Sequence, residues 1–273
     1  MKIWRIALLA LAALMLCVTG AMAQTSGLIR LTDRDDLFGW EAVGRVDLGR
    51  DGYCTGVLIA PDQVLTAAHC LYDAANRPIA AETILFRAGL RDGVAISQVQ
   101  VARYAVTPGY DPAAGMQTEN VRRDAALLHL STAIPSALAA PFNLYGAPAP
   151  SQRVSIVSYG KDRDKAPSWQ RDCGLLWRSD GVMAFDCAVI SGSSGAPVFV
   201  RDGGRARILS LVSGGEWETG THRAYGMDLP DLVPVLKRIL RAAPPLSNKI
   251  NPGFRRVTVG TLAVTSGAKF AKP

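Results

Sequence analysis

CTGVLIAPDQVLTAAHC, residues 54–70, is the stretch on which the reading of the fold turns. Apolar runs from Gly56 to Ala60 and from Val64 to Ala67 flank Pro61-Asp62. Proline pre-sets the backbone angle a turn needs, and aspartate bonds to the chain just beyond it, so the pattern predicts a β-hairpin. The second strand runs into His69-Cys70, and pairing of Cys70 with Cys54 would staple the end of the hairpin to its beginning. A general base must be held within hydrogen-bond reach of the group it deprotonates. A cross-linked turn is a rigid place to hold an imidazole.

Short apolar or alternating runs continue outward, broken by Gly, Pro, Asp and Asn: Thr83 to Ala88, Val94 to Val106, Ala125 to Leu130, Val154 to Tyr159, Val182 to Phe185, Pro197 to Arg201, Arg207 to Ser213 and Arg223 to Met227. Runs of this length and spacing predict an all-β sandwich or barrel. One helix follows, with Leu232, Val235, Leu236, Ile239 and Leu240 at helical intervals, Asp231 near its start and Pro244-Pro245 at its stop. Pro135, Pro141, Pro148 and Pro150 mark a join between two halves. The chain thus divides into a signal peptide at 1–23, a propeptide or N-terminal arm at 24–38, two β-domains at 39–140 and 141–243, the second carrying the helix, and a basic tail at 244–273.

The leader has Lys2 and Arg5, an apolar run from Ile6 to Val18 and the small-x-small site Ala21-Met22-Ala23 before Gln24. Its 13 apolar residues are short for a spanning helix. The reading is a secreted or periplasmic protein with no integral membrane segment after cleavage. The formal charge of +7, from 30 basic and 23 acidic residues, suggests nucleic acid or a membrane surface until it is located. Two basic residues leave with the leader, and Lys249, Arg255, Arg256, Lys269 and Lys272 lie in the last 29 positions, which hold no acid. Residues 24–244 carry 23 charges of each sign. A nucleic-acid module carries its basic patch on the fold itself, so no nucleic-acid partner is expected. With 49% apolar residues the chain has ample material for a core, and disordered or collagen-like classes are excluded.

Loss of Cys17 leaves Cys54, Cys70, Cys173 and Cys187, which allow three pairings. The local pairing, Cys54 with Cys70 and Cys173 with Cys187, closes loops of about 15 residues, each worth about 3 kcal/mol in the chain-entropy model. Free thiols are the alternative. No metal site is expected, because none of the three histidines has ligand spacing to a cysteine pair.

Two further segments carry chemistry. RDAALLHL, residues 123–130, puts Asp124 at the mouth of an apolar strand, where a carboxylate can stand behind an imidazole, fix its tautomer and stabilise the imidazolium. SGSSGAPV, residues 191–198, is a small-residue turn running into a strand. Small residues let a substrate carbonyl approach the backbone, and the N–H groups of Gly192 and Ser194 can converge as an oxyanion hole.

With LTAAHC at 65–70, these segments resemble the trypsin/chymotrypsin-like serine peptidases, whose histidine, aspartate and nucleophile lie in Leu-Thr-Ala-Ala-His-Cys, Asp-Ile-Ala-Leu-Leu and Gly-Asp-Ser-Gly-Gly-Pro segments. Secondary likenesses are VSYG at 157–160 and LVSGG at 211–215, and the whole runs roughly from Trp40 to Ala242. The resemblance implies two antiparallel Greek-key β-barrels with the site between them and a C-terminal helix. It implies a catalytic triad of His69, Asp124 and Ser194, an oxyanion hole at Gly192 and Ser194, a pocket floor at Ala188, and pairing of the substrate backbone along Ser213, Gly214 and Gly215. Polypeptides would be cleaved through an acyl-enzyme, with no metal or organic cofactor, by a monomer. The order His, Asp, Ser excludes an α/β-hydrolase, which places its acid and histidine after Gly-x-Ser-x-Gly.

The departures are informative. Ser193 stands where animal digestive members carry the Asp that pairs with a newly cut amino terminus, and the Ile-Val-Gly-Gly start is missing. WEAVGRVD at 40–47 together with CTGVLIAP at 54–61 looks more like the bacterial glutamyl-endopeptidase-like branch. Glutamate preference does not carry over: its specific members place a histidine near positions 212–213, where this chain has Val212 and Ser213, and Ala188 is not the acid that selects Lys or Arg. Small or medium apolar side chains are expected in the pocket, with Asp186 and Glu216 near enough in sequence to complicate it; His222 reads as a surface or core histidine, its alternative being reach into the pocket from the next strand. His129, five residues beyond Asp124, faces the other way and reads as structural. The alternative of another class is a binding protein that keeps the peptidase fold with little or no turnover; such proteins have usually lost a triad residue.

Overall fold

The hairpin read from residues 54–70 is present, with Val57 opposite Leu65 and Leu58 opposite Val64. It belongs to a computed structural model that describes residues 27–242 apart from 147, 150–151, 202 and 219–220; the signal-peptide and basic-tail readings lie outside the described residues. A first short strand, β1 (Leu28–Arg30), precedes a one-turn helix, α1 (Arg34–Leu37). Then β2 (Val43–Asp47), β3 (Tyr53–Ala60), β4 (Gln63–Thr66), β5 (Leu85–Ala88), β6 (Ser97–Val106) and β7 (Ala126–Leu130) close an antiparallel barrel in the order β2-β3-β4-β7-β6-β5. Between β6 and β7 lies α2 (Thr118–Val121).

The second barrel repeats the first. Its strands are β8 (Arg153–Ser158), β9 (Ser168–Ser179), β10 (Val182–Phe185), β11 (Pro197–Val200), β12 (Arg207–Glu218) and β13 (Thr221–Met227). They run in the order β8-β9-β10-β13-β12-β11, and β11 pairs back to β8. In each barrel the first three strands are consecutive and the last three return in reverse. The two antiparallel barrels expected from the resemblance are therefore the observed fold, and β1 adds to the edge of β9, Ile29 opposite Trp169.

Each barrel is filled by residues of one face of its alternating strands, Val46, Val64, Phe86 and Leu128 in the first and Ile156, Phe185, Val198 and Leu209 in the second. The seam between them is aromatic. Trp40 lies 6.0 Å from Phe142, 5.2 Å from Trp169 and 5.0 Å from Phe199, ring centre to ring centre, all tilted. Such pairs add about 0.5–1.5 kcal/mol each beyond their buried area. Phe142 arrives from the proline-rich join, which is strapped to both barrels: Phe142 N–H donates to Leu58 O at 2.9 Å and Tyr145 N–H to Ile208 O at 2.7 Å.

Three sequence readings need correction. The run from Val94 starts as a strand only at Ser97, because Val94 closes a tight turn with Arg91 and is exposed. The strand β9 was not among the expected runs: it buries Ser168, Gln170 and Cys173 in turn and then leaves the barrel as an exposed ribbon, so no apolar alternation marks it. The terminal helix α3 (Leu232–Ala242) buries Val233, Leu236 and Leu240, while Ile239 is exposed. It rests on β6 and β7 of the first barrel, a flank contact that needs a stripe only three residues wide. Pro234 falls in its first turn, where a missing N–H costs nothing. Among the described residues no helix is long and apolar enough to cross a membrane.

Candidate active site

The β4–β7 pairing places His69 next to Asp124. Thr66 is opposite Ala126, so the residues that follow β4 run past those that precede β7. His69 opens a single 3₁₀ turn, His69–Leu71, and Cys70 in that turn is disulfide-bonded to Cys54 on β3. Cys173 is bonded to Cys187, so both local pairings form. Asp124 Oδ1 accepts the His69 backbone N–H at 2.8 Å, and Oδ2 lies 2.8 Å from the imidazole Nδ1. Ser213 Oγ donates to the same Oδ2 at 2.5 Å.

This geometry sets the tautomer and the charge. A carboxylate only accepts, so Nδ1 carries the proton and Nε2 keeps the lone pair, on an imidazole whose side chain is 35% exposed against 4% for Asp124. Burial alone would push the imidazole pKa down, but the charge and hydrogen bond of Asp124 outweigh it and hold it above the usual 6.5.

The turn at 191–195 is fixed plane by plane. A peptide carbonyl and the following N–H point opposite ways across a planar trans unit, so tying one orients the other. Ser191 O accepts Lys161 N–H at 2.7 Å, which aims the Gly192 N–H; Ser193 O accepts Ala196 N–H at 3.0 Å, which aims the Ser194 N–H. Ser193 N–H donates to Ile190 O at 2.8 Å and Gly195 N–H to Val212 O at 2.7 Å, whereas among the described residues the Gly192 and Ser194 amides have no such partner. Two glycines are obligatory here. Gly192 (φ +91) lies under the Tyr53 ring, and Gly195 (φ +75) is hemmed in by Thr66 Oγ1, Thr55 O and Ala67 N, where a Cβ has no room.

Thr55, absent from the sequence reading, clamps this turn across the barrels. Fully buried, it donates its hydroxyl to Gly192 O at 2.9 Å, accepts Tyr159 N–H at 3.0 Å, and gives its own N–H to Ser194 O at 2.9 Å. Arg163 was missed as well; its guanidinium donates to Ser193 Oγ at 3.0 Å.

Ser194 lines a cavity of about 170 Å³ together with Val189, Ile190, Val212, Gly214 and Gly215. Of the expected site residues, Ser194, Gly214 and Gly215 line this cavity. Ser213 is buried with its hydroxyl bonded to Asp124, and Ala188 lies outside the lining, its N–H donated to Gln170 Oε1 at 2.8 Å. Asp186 accepts the Gly174 N–H, Glu216 accepts Tyr225 O–H at 2.9 Å, and His222 is exposed opposite Trp217. His129 stands at the first hairpin's turn, 3.5 Å from Asp62. Cys54, His69 and Cys70 lie close together, as do Cys173, Asp186 and Cys187, but sulfurs in disulfides offer no thiolate to a metal.

Comparison with known proteins agrees with the fold. A relative, the glutamyl endopeptidase of Bacillus licheniformis, is 23% identical over 163 residues, 59% of this chain and 50% of that protein. Serine protease 56 of Mus musculus is 35% identical over 95 residues, 35% of this chain and 14% of that protein. The matches thus span half or less of these relatives' lengths. A solved structure of a Glu endopeptidase in complex with MPD shares the fold, with a TM-score of 0.65 at 17% identity over 79% of this chain and 97% of that one. The model of the trypsin-like peptidase domain matches residues 54–206, more than half of the chain and the whole span from the stapled hairpin through the 191–195 turn. The chain belongs to the trypsin-like peptidase family.

Proposed function

We propose that the protein is an exported serine endopeptidase with Ser194 as nucleophile, His69 as general base and Asp124 as its orienting carboxylate. The observation that carries this reading is the three-bonded Asp124, which fixes His69 with Nε2 unprotonated. Ser194 Oγ attacks the scissile carbonyl while Nε2 takes its proton, and the Gly192 and Ser194 amides stabilise the tetrahedral oxyanion. The imidazolium returns the proton to the leaving amine. Water, activated by the same nitrogen, then hydrolyses the acyl-enzyme and restores Ser194. Gly214 and Gly215 offer backbone to an extended substrate as an added strand.

The cavity supports small or medium apolar side chains before the cut. None of its lining residues is charged, and a carboxylate drawn into such a site loses hydration without compensation. Residues 27–38 are read as a retained arm: Leu31 and Leu37 are buried and β1 is paired to β9, so excision would bare part of the core. Export is supported by the leader and by two disulfides.

The test is to incubate the purified protein with an unfolded polypeptide mixture and map the new termini by mass spectrometry, beside Ser194→Ala and His69→Ala. Cuts after small or medium apolar residues, lost in both variants, are expected. A folded protein that yields no cuts, or cuts that survive Ser194→Ala, would leave the binding-protein reading in its place.

A further inference from the structure

A guanidinium lies behind the nucleophile turn, and nothing in the chemistry above uses it. Arg163 Nη2 donates to Ser193 Oγ at 3.0 Å and to Ser158 Oγ at 3.1 Å, and Nη1 donates to Ser158 O at 2.8 Å. Its fork lies flat on Gly160, where a Cβ would come within 2.7 Å of Cζ. Ser193 is fully buried; its hydroxyl passes its own proton to Tyr159 O at 3.3 Å and lies 3.4 Å from the Ile190 N–H. Among the described residues no carboxylate pairs with Arg163; the neighbouring Asp164 faces Arg45 at 3.4 Å. A charge partly removed from water and bonded only to neutral oxygens is costly unless it holds something in place.

What it holds is the oxyanion turn. The Gly160–Arg163 segment is itself a turn, Arg163 N–H to Gly160 O at 2.9 Å, and its Lys161 N–H fixes the peptide plane that carries the Gly192 N–H. Arg163 fixes the side chain of Ser193, between the two amides. The geometry points to Arg163 as a positioning residue: an internal cation that holds the Gly192–Ser194 turn in its working shape, so that no freed amino terminus is needed to do so. This rests on the proposed oxyanion hole. A guanidinium matches the task because its rigid fork bonds Ser193 and Ser158 together, which an ammonium does not do.

The experiment uses the full chain, with active sites titrated by an irreversible phosphonate before steady-state peptide hydrolysis. Arg163→Ala lowers kcat about 10- to 100-fold with KM within about twofold, the signature of an interaction made in the transition state. Its kcat/KM profile keeps the wild-type acid limb, since the His69–Asp124 pair is untouched. Added guanidinium ion restores part of the lost rate and leaves wild type unchanged. Ser193→Asp, which gives the guanidinium a carboxylate without removing it, keeps kcat within about threefold, while Ser193→Asp with Arg163→Ala falls below Arg163→Ala alone. A blocked extension ahead of Gln24 leaves kcat unchanged. Folded Arg163→Ala with wild-type kcat, a Ser193→Asp penalty independent of Arg163, or loss of kcat on blocking the amino terminus would each overturn the inference. Because wild-type turnover is measured alongside, failure here is distinct from absence of peptidase activity.

Discussion

Asp124→Asn isolates the electrostatics of the site, since it preserves shape and removes charge. The carboxylate accepts three hydrogen bonds, one at Oδ1 from the His69 backbone and two at Oδ2 from the imidazole and Ser213. An amide has one accepting end. If its NH₂ replaces Oδ1, it meets the His69 N–H donor to donor, and a buried donor is orphaned at a cost of about 1–3 kcal/mol. With the NH₂ at the Oδ2 position, its two hydrogens go to Nδ1, which must give up its proton and accept, and to Ser213 Oγ, which must turn from donor to acceptor; a hydroxyl rotor can turn its proton elsewhere, whereas the His69 backbone N–H cannot. The second arrangement wins, and it places the imidazole proton on Nε2, where the base should be. The variant should therefore fold and lose about 10⁴-fold in kcat, roughly 5.5 kcal/mol of barrier.

The pH dependence gives an independent check. In wild type the acid limb of kcat/KM lies above 6.5, because the raised imidazole pKa must be passed before His69 is a free base. With the charge of Asp124 gone, burial is the influence left, and it moves the limb below 6.5. Stability runs the other way. A folded-state pKa raised above the unfolded 6.5 gives a contribution fully present below pH 6.5 and lost as pH rises through the folded value. Peptide-amide hydrolysis and thermal melts across about pH 5 to 9 read both. A variant retaining more than about a tenth of kcat, or showing an unmoved limb, would refute the tautomer argument.

Other outcomes follow from the same geometry. Thr55→Val orphans Gly192 O and Tyr159 N–H, so it should cost about 2–5 kcal/mol by denaturant titration and lower kcat in the folded fraction. Cys54→Ala with Cys70→Ala removes the staple under His69 and should cost about 2–4 kcal/mol in the same titration. On matched peptides, valine or leucine before the cut should exceed glutamate by at least about 100-fold in kcat/KM, because the cavity offers a carboxylate no partner. Equal rates would place a cation in the pocket.

The residues proposed as the triad could be singled out because each sits in a local pattern: His69 at the end of a hairpin, Asp124 at a strand mouth, Ser194 in a small-residue turn. Local pairing of the cysteines was legible for the same reason. What escaped was long-range or polar. Thr55 and Gly192 meet across 137 residues, and that contact has no periodicity to betray it. Arg163 sits in KDRDK at 161–165, which reads as a solvated charge run, although its head group turns inward. Ser213 stands in LVSGG at 211–215, which suggests substrate pairing by its backbone and says nothing of its side chain; the pleat sends its hydroxyl onto Asp124. The duplication of the barrel order leaves no repeat in the sequence, since a strand order is set by pairing and any alternating run satisfies it.

The central claim, an activated Ser194, is tested most directly by intact-mass and peptide-map analysis after exposure to a fluorophosphonate, with Ser194→Ala and heat-denatured protein as controls. One adduct per chain, on Ser194, formed by the folded protein alone and faster as pH rises through the His69 limb, is the predicted result. A folded protein that takes no label, or takes it elsewhere, would contradict the account.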